Sequence, residues 1–203
     1  FVKVRQSDKI PLAKDIYSRR LPHINHTSLI QFVTFRLGDS LPVELLKALQ
    51  AGNFRSEKCQ KLIERYDANG YGRCYLKHTD IANGIVSSII QSKIFFHIYA
   101  FVVMPNHVHI LLQSKLEQKR VCDLVGYIKR HTAREINRRF ADVDGIWMRE
   151  YYDRYLRESD ELHCIIDYIE ANPVVAGLCP TAQDWQYSSA YSCWAGYMDT
   201  IGQ

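Results

Sequence analysis

A chain of 203 residues, 47% hydrophobic and 24% charged, carries enough apolar material for one packed domain with short appended arms. No apolar run approaches the ~20 residues that cross a bilayer, and the opening FVKVRQSDK lacks the apolar centre of a secretory signal, so a soluble cytoplasmic protein with no membrane partner is expected. Six scattered cysteines without C-x-x-C spacing argue against a zinc ribbon or a disulfide scaffold, and a net charge of +4 permits an acidic partner without requiring one.

Residues 1–28 show no sustained period and read as an N-terminal arm. Leu29 to Leu37 is β-branched and aromatic, a strand that Gly38-Asp39-Ser40 ends. Pro42, suited to a first helical turn, introduces VELLKALQ and then KCQKLIERY, one or two helices with a break at Gly52-Asn53. Asn69 to Gly72 marks a loop. Thr79 or Asp80 caps a helix through IANGIVSSIIQ, and Ile94 to Val103 reads as a central strand. Pro105-Asn106 turns the chain into a second strand, closing an antiparallel hairpin. A helix over about 119–140, a loop at Asp142 to Gly145 and a strand within Arg149 to Leu156 follow. The order strand, helix, strand, strand, helix, strand predicts an α+β fold of the ferredoxin-like split βαβ type, an antiparallel sheet with helices on one face. Residues 1–203 are expected to form a single domain with a core at about 29–175 and a tail at 176–203. That architecture serves many activities, so function has to be argued from a site.

In His107-Val108-His109 the strand's alternation projects both imidazoles from one face. Two neutral imidazoles a few ångströms apart can hold a divalent metal if a third ligand arrives from elsewhere; the plainer reading is two polar residues on an exposed strand face. From Ser159 onward, Leu162, Ile165, Ile166 and Ile169 make an apolar helical stripe that Asn172-Pro173 is expected to end. At ~100° per residue, Tyr168 and Asn172 fall on one flank of that helix, one turn apart. In IKRHTAREINRRF, Arg130, Arg134 and Arg138 recur at i, i+4 and i+8 beside Lys129, a ridge that suits phosphates or, equally, a solvated face.

Four ordered blocks go further: MPNHVHILL, WMREYYDRYLR (Trp147 to Arg157), DYIEANPVVAGL (Asp167 to Leu178) and DWQYSSA (Asp184 to Ala190). With the early FVTFRLGDSLP, they resemble the IS200-like single-tyrosine HUH transposases, and among them the REP-associated tyrosine transposases, over about residues 29–190. The resemblance implies an HUH nuclease core in which His107 and His109 bind Mg²⁺ or Mn²⁺, Tyr168 attacks a DNA phosphodiester, and Asn172 is the third ligand, a position held by glutamine in some relatives. It implies nicking and strand transfer on single-stranded or hairpin (REP-like) DNA through a 5′-phosphotyrosine, by a monomer or homodimer associated with the nucleoid. Lys129, Arg130, Arg134, Arg138 and Arg154 are then expected to contact DNA, with Trp147, Tyr151, Tyr152 and Tyr155 as stacking surfaces. Glu150, Asp153 and Arg154 are a candidate ion-pair cluster behind the site. A hairpin-binding protein without catalysis, and a plain metal-dependent phosphodiesterase that activates water, are the alternatives.

Overall fold

The strand and helix order read from the sequence is realised as a four-stranded antiparallel sheet with helices packed on it. The computed structural model describes residues 16–18, 22–24, 29–50, 61–63, 65–66, 70–141, 145–156 and 161–200. A short hairpin of β1 (Ile16–Ser18) and β2 (Pro22–Ile24) precedes the sheet. The chain then runs through β3 (Gln31–Arg36), α1 (Val43–Gln50), α2 (Thr79–Gln91), β4 (Phe96–Val103), β5 (His107–Ser114), α3 (Val121–Phe140), β6 (Tyr152–Tyr155), α4 (Glu161–Val175) and a one-turn α5 (Ser192–Ala195). The sheet order is β4-β5-β3-β6, every pair antiparallel. The expected break at Gly52-Asn53, the Ser159 cap and most of the loop at Asp142 to Gly145 lie outside the described residues.

Alternation divides the sheet into two layers. Val33, Phe35, Val108, Ile110 and Leu112 face α2 and α3 and bury Ile85, Ile89, Val125 and Ile128 beneath them. Phe32, Thr34, His107, His109 and Leu111 face the other way, where α4 lays Leu162, Ile165 and Ile169 over Ala100, Val102 and Leu111. The two crossover helices thus share one face, as the split βαβ order predicts, and α4 closes the other. Each fully buried Ile or Leu stabilises this arrangement by roughly 1.5–3 kcal/mol relative to exposure.

Three local features depart from the sequence reading. A register shift between Ile98 and Ala100 inserts a residue into β4, so that Phe96, Ile98, Phe101 and Val103 all reach the same core, which strict alternation of FHIYAFVV does not suggest. α2 begins at Thr79 with His78 as its cap residue, and no side-chain cap forms; Asp80 sits in the first turn and pairs instead with Arg139. α4 does not stop at Asn172-Pro173. It carries Pro173 inside it and ends one turn later in a Schellman arrangement, with Leu178 N–H donating to the Pro173 carbonyl (2.8 Å) and Gly177 N–H to that of Val174 (2.9 Å). Gly177 takes φ +67°, the left-handed conformation that such a stop requires. Of the five described cysteines, all free thiols, only Cys74 is buried.

Candidate active site

The histidine pair is built from the turn that precedes it. Asn106 is fully buried, its amide nitrogen donates to the Tyr71 carbonyl (3.1 Å), and its backbone carbonyl accepts from Leu37 N–H (2.9 Å). The Tyr71 carbonyl is delivered by a loop that needs glycine at position 72, where φ is +93° and a Cβ would stand 2.6 Å from the Asp39 carbonyl oxygen. Asn106 Oδ1 is then aimed at His107 Nδ1, 2.7 Å away. An amide oxygen only accepts, so Nδ1 carries the proton and Nε2 keeps its lone pair. His109 Nδ1 lies 2.7 Å from the Thr34 hydroxyl on β3, and Phe32 stacks on its ring with centroids 5.2 Å apart. The two imidazoles stand 4.6 Å apart, at 0% and 3% exposure, with both Nε2 atoms buried, so the exposed-face reading of the pair does not hold.

α4, packed on this same face of the sheet, brings Tyr168 to the histidines. Its phenol ring is 5.7 Å from His109 and 6.0 Å from Phe32, centroid to centroid, while the residue remains 42% exposed. The site is therefore open to solvent at the tyrosine and closed around the imidazoles. Asn172 is one turn on, and its amide nitrogen donates to the Tyr168 carbonyl (2.7 Å). That bond turns the NH2 group toward its own helix, so Oδ1 is the atom of this amide that could serve a metal. Among the described residues, no group of three or more His, Cys, Asp and Glu side chains is placed to hold a metal ion. The donors singled out by the sequence are of another kind, two imidazoles and an amide oxygen, and neutral nitrogen and oxygen groups of this sort would suit a divalent cation.

Burial, and secondarily Arg36, pushes the His107 imidazole well below its ordinary 6.5. A histidine with a depressed folded pKa takes up a proton more readily when unfolded, so its contribution to stability is present above about pH 6.5 and is lost as the pH falls toward the folded value. With metal chelated, the urea unfolding free energy is expected to fall by as much as about 1.4 kcal/mol per pH unit below pH 6.5 from this residue. Unchanged stability between about pH 7 and pH 5 would contradict it.

Comparison with known proteins bears on what this arrangement is. A family model described as "Transposase IS200 like" matches residues 76–172, a span that starts before α2 and takes in both histidines, Tyr168 and Asn172. Residues 76–172 are similar to an IS200-like transposase domain. A Haemophilus influenzae protein named as a REP-associated tyrosine transposase is 29% identical over 103 residues, covering 46% of this chain and 58% of that protein. An uncharacterised protein of the same organism is 25% identical over 95 residues, covering 37% and 53%. The matches thus span little more than half the length of these relatives. The fold resembles that of a REP-associated tyrosine transposase solved with a REP hairpin, with TM-score 0.55 and 18% identity over 92% of this chain and 91% of that one.

Within residues 76–172 and the β-strands that flank them, the basic residues divide between the two layers. Arg154 pairs in register with Phe32 and so shares the face of the histidines; it is half exposed and 3.9 Å from Glu161. Asp153 pairs with Val33 and faces the opposite layer, so the expected cluster of Glu150, Asp153 and Arg154 does not form as one unit. Arg130, Arg134 and Arg138 are exposed along α3, on the layer opposite the histidines, and Arg138 also pairs with Glu135. Lys129 departs from the ridge: its ammonium donates to the carbonyls of Met148 (2.8 Å), Glu150 (3.3 Å) and Arg149 (3.4 Å), and burial lowers it to about 8. Its position one residue before Arg130 turns it inward, where it pins the strand-like approach to β6. Trp147 and Tyr151 are packed into the core, which removes them from the stacking surfaces, whereas Tyr152 shares the register row of Thr34 and His109.

Sequence reasoning missed Phe32, Thr34 and Arg36. Arg36 lies directly opposite His107 across the β3–β5 ladder, on the histidine face, and is half buried. Alternation in FVTFR contains that information, but only once the pairing of β3 with β5 is known.

Proposed function

We propose that the domain nicks and rejoins single-stranded DNA at hairpins, with Tyr168 as nucleophile and His107, His109 and Asn172 as ligands of Mg²⁺ or Mn²⁺. The observation that carries this reading is the approach of Tyr168 to His109, ring centroids 5.7 Å apart, from the helix that packs on the histidine face of the sheet. The hairpin as substrate is supported by the relative solved with one. Tyr168 Oη loses its proton and forms a bond to phosphorus as the P–O3′ bond breaks; the 3′-oxygen takes up a proton, and the 5′-phosphate stays on the tyrosine. A 3′-hydroxyl of another strand reverses the step and restores a diester with no nucleotide cofactor. A bound Mg²⁺ or Mn²⁺ supplies charge neutralisation at the phosphate oxygens. Asn106 and Thr34 orient the imidazoles, Phe32 holds the His109 ring against rotation, and Arg36 places a cation on the same face for the phosphate.

The exposed arginines of α3, beside a Tyr127–His131 ring stack with centroids 6.1 Å apart, lie away from the scission point and serve the reading as phosphate contacts. Arg134→Ala is expected to weaken hairpin binding and to reduce the slope of log K against log salt by about 1, with the rate at saturating DNA unchanged. An unaltered salt slope in a titration series would remove α3 from the binding surface. Lys129 is left out of this row because its ammonium is engaged inside the domain.

The reading is tested by incubating the protein with end-labelled single-stranded hairpin DNA and Mn²⁺ and resolving the products on a denaturing gel. A shifted, protease-sensitive band that requires metal supports it. Cleavage without a shifted band would make water the nucleophile, and binding without cleavage would leave a hairpin-binding protein.

A further inference from the structure

Glu170 follows Tyr168 by two residues, and two residues turn a helix by about 200°, so their side chains leave α4 on opposite flanks. The Tyr168 flank faces β3 and β5 through Phe32 and His109. The Glu170 flank faces the outer edge of β4, where the C-terminal segment runs. That segment seals the edge: Val103 N–H donates to the Tyr187 carbonyl (2.9 Å), Ser189 N–H to that of Phe101 (2.9 Å), Asp199 N–H to that of Ile98 (2.8 Å), and Trp185 Nε1 to that of Val103 (3.0 Å). Ser189, 2% exposed, then joins this edge to the helix. Its hydroxyl accepts from Phe101 N–H (3.1 Å) and has two acceptors in reach, the Phe101 carbonyl (3.2 Å) and Glu170 Oε1 (2.8 Å), of which the shorter carboxylate contact takes its proton. One oxygen thus ties α4 to the backbone of β4 at the residue whose register partner, Ile110, adjoins His109.

We propose that the Glu170–Ser189 hydrogen bond is a latch that fixes the rotation of α4 on the sheet and thereby positions Tyr168 over the histidine pair. The proposal rests on the reading of Tyr168 as the nucleophile. The inward face of α4 consists of Leu162, Ile165 and Ile169 against Ala100, Val102 and Leu111, aliphatic contacts without directional preference. A hydrogen bond has direction, and this one acts on the flank away from the tyrosine. A roll of about 10° about the helix axis moves an atom about 8 Å from that axis by roughly 1.5 Å. A misplacement of about 1 Å at a reacting group costs on the order of a hundredfold in rate. Glu170 is in this account a positioning residue; it touches neither phosphate nor metal.

The test uses the full chain and three variants, Glu170→Ala, Ser189→Ala and Glu170→Gln, with hairpin DNA and Mn²⁺. Three quantities are read: the single-turnover rate of adduct formation at saturating DNA, the hairpin Kd, and hydrogen exchange of the α4 amides. Glu170→Ala and Ser189→Ala are expected to slow adduct formation by roughly ten- to a hundredfold, to leave Kd within about twofold, and to speed exchange in α4 while the strands keep their protection. Glu170→Gln, whose amide oxygen accepts the same hydroxyl, is expected to stay within about threefold of the parent rate. Ser189→Ala removes the bond from its other end, so a folding failure of one variant leaves the test standing. Parent-like rate and α4 exchange in Glu170→Ala, or a glutamine variant as slow as the alanine one, would overturn the latch. Failure of the nucleophile reading looks different: the parent protein itself gives no Tyr168-dependent adduct, and α4 exchange alone then decides whether the latch holds the helix.

Discussion

Tyr168→Phe is expected to bind hairpin DNA within about twofold of the parent and to form no covalent adduct, a loss of cleavage of roughly 10⁴-fold or more, the scale found when a nucleophile is deleted from a preorganised site. The substitution removes one oxygen and keeps the ring that meets Phe32 and His109, so neither fold nor metal set is disturbed. Tyr168 is 42% exposed, and a substitution at such a position is expected to shift the melting temperature by no more than a few degrees. A neutral phenol is a weak nucleophile, so the reaction needs a base or a nearby cation to draw off the Tyr168 proton as the bond to phosphorus forms. Retained cleavage in the phenylalanine variant would transfer the chemistry to water and leave the tyrosine as a wall of the site.

His109→Ala is expected to lower metal-dependent cleavage by roughly 10³-fold, the upper range for loss of one preorganised electrostatic group, and to abolish measurable Mn²⁺ binding by titration calorimetry. The structural cost is separable. His109 accounts for the ring stacked on Phe32 and for the partner of the buried Thr34 hydroxyl, and leaving that hydroxyl unpaired costs about 1–3 kcal/mol. Thr34→Val, which keeps shape and removes the oriented hydroxyl, provides the comparison: it should weaken Mn²⁺ binding by about 10–100-fold while retaining both imidazoles. Mn²⁺ binding that survives His109→Ala undiminished would place the metal elsewhere.

Much of this site is legible before any coordinates are seen, and the reason is local geometry. His107 and His109 share a face because a strand alternates, and Tyr168 and Asn172 share a flank because a helix repeats, so two short segments each carry half of the constellation. What brings the halves together is α4 crossing the sheet on the face away from α2 and α3, a fact about packing that no segment contains. The same limit explains Lys129 and the arginine ridge. Periodicity along α3 aligns Arg130, Arg134 and Arg138, but which layer they cover, and that Lys129 turns inward to three carbonyls, depends on what lies beneath the helix. The β4 bulge escaped because an inserted residue changes face assignment without changing composition. The persistence of α4 through Pro173 escaped because the stop is delivered by Gly177, five residues beyond Asn172, rather than by the proline. Arg36 was hidden in plain alternation until its partner strand was known.

The central claim is that DNA becomes joined to Tyr168, and the most direct measurement is to map the join. Protein reacted with hairpin DNA and Mn²⁺ is digested with nuclease and protease, and the peptides are sequenced by tandem mass spectrometry. The account predicts a nucleotide 5′-phosphate on the α4 peptide, at Tyr168, and none in a reaction with chelator. A nucleotide carried by another residue, such as Tyr152 on the same sheet face, or full cleavage with every peptide unmodified, would contradict it.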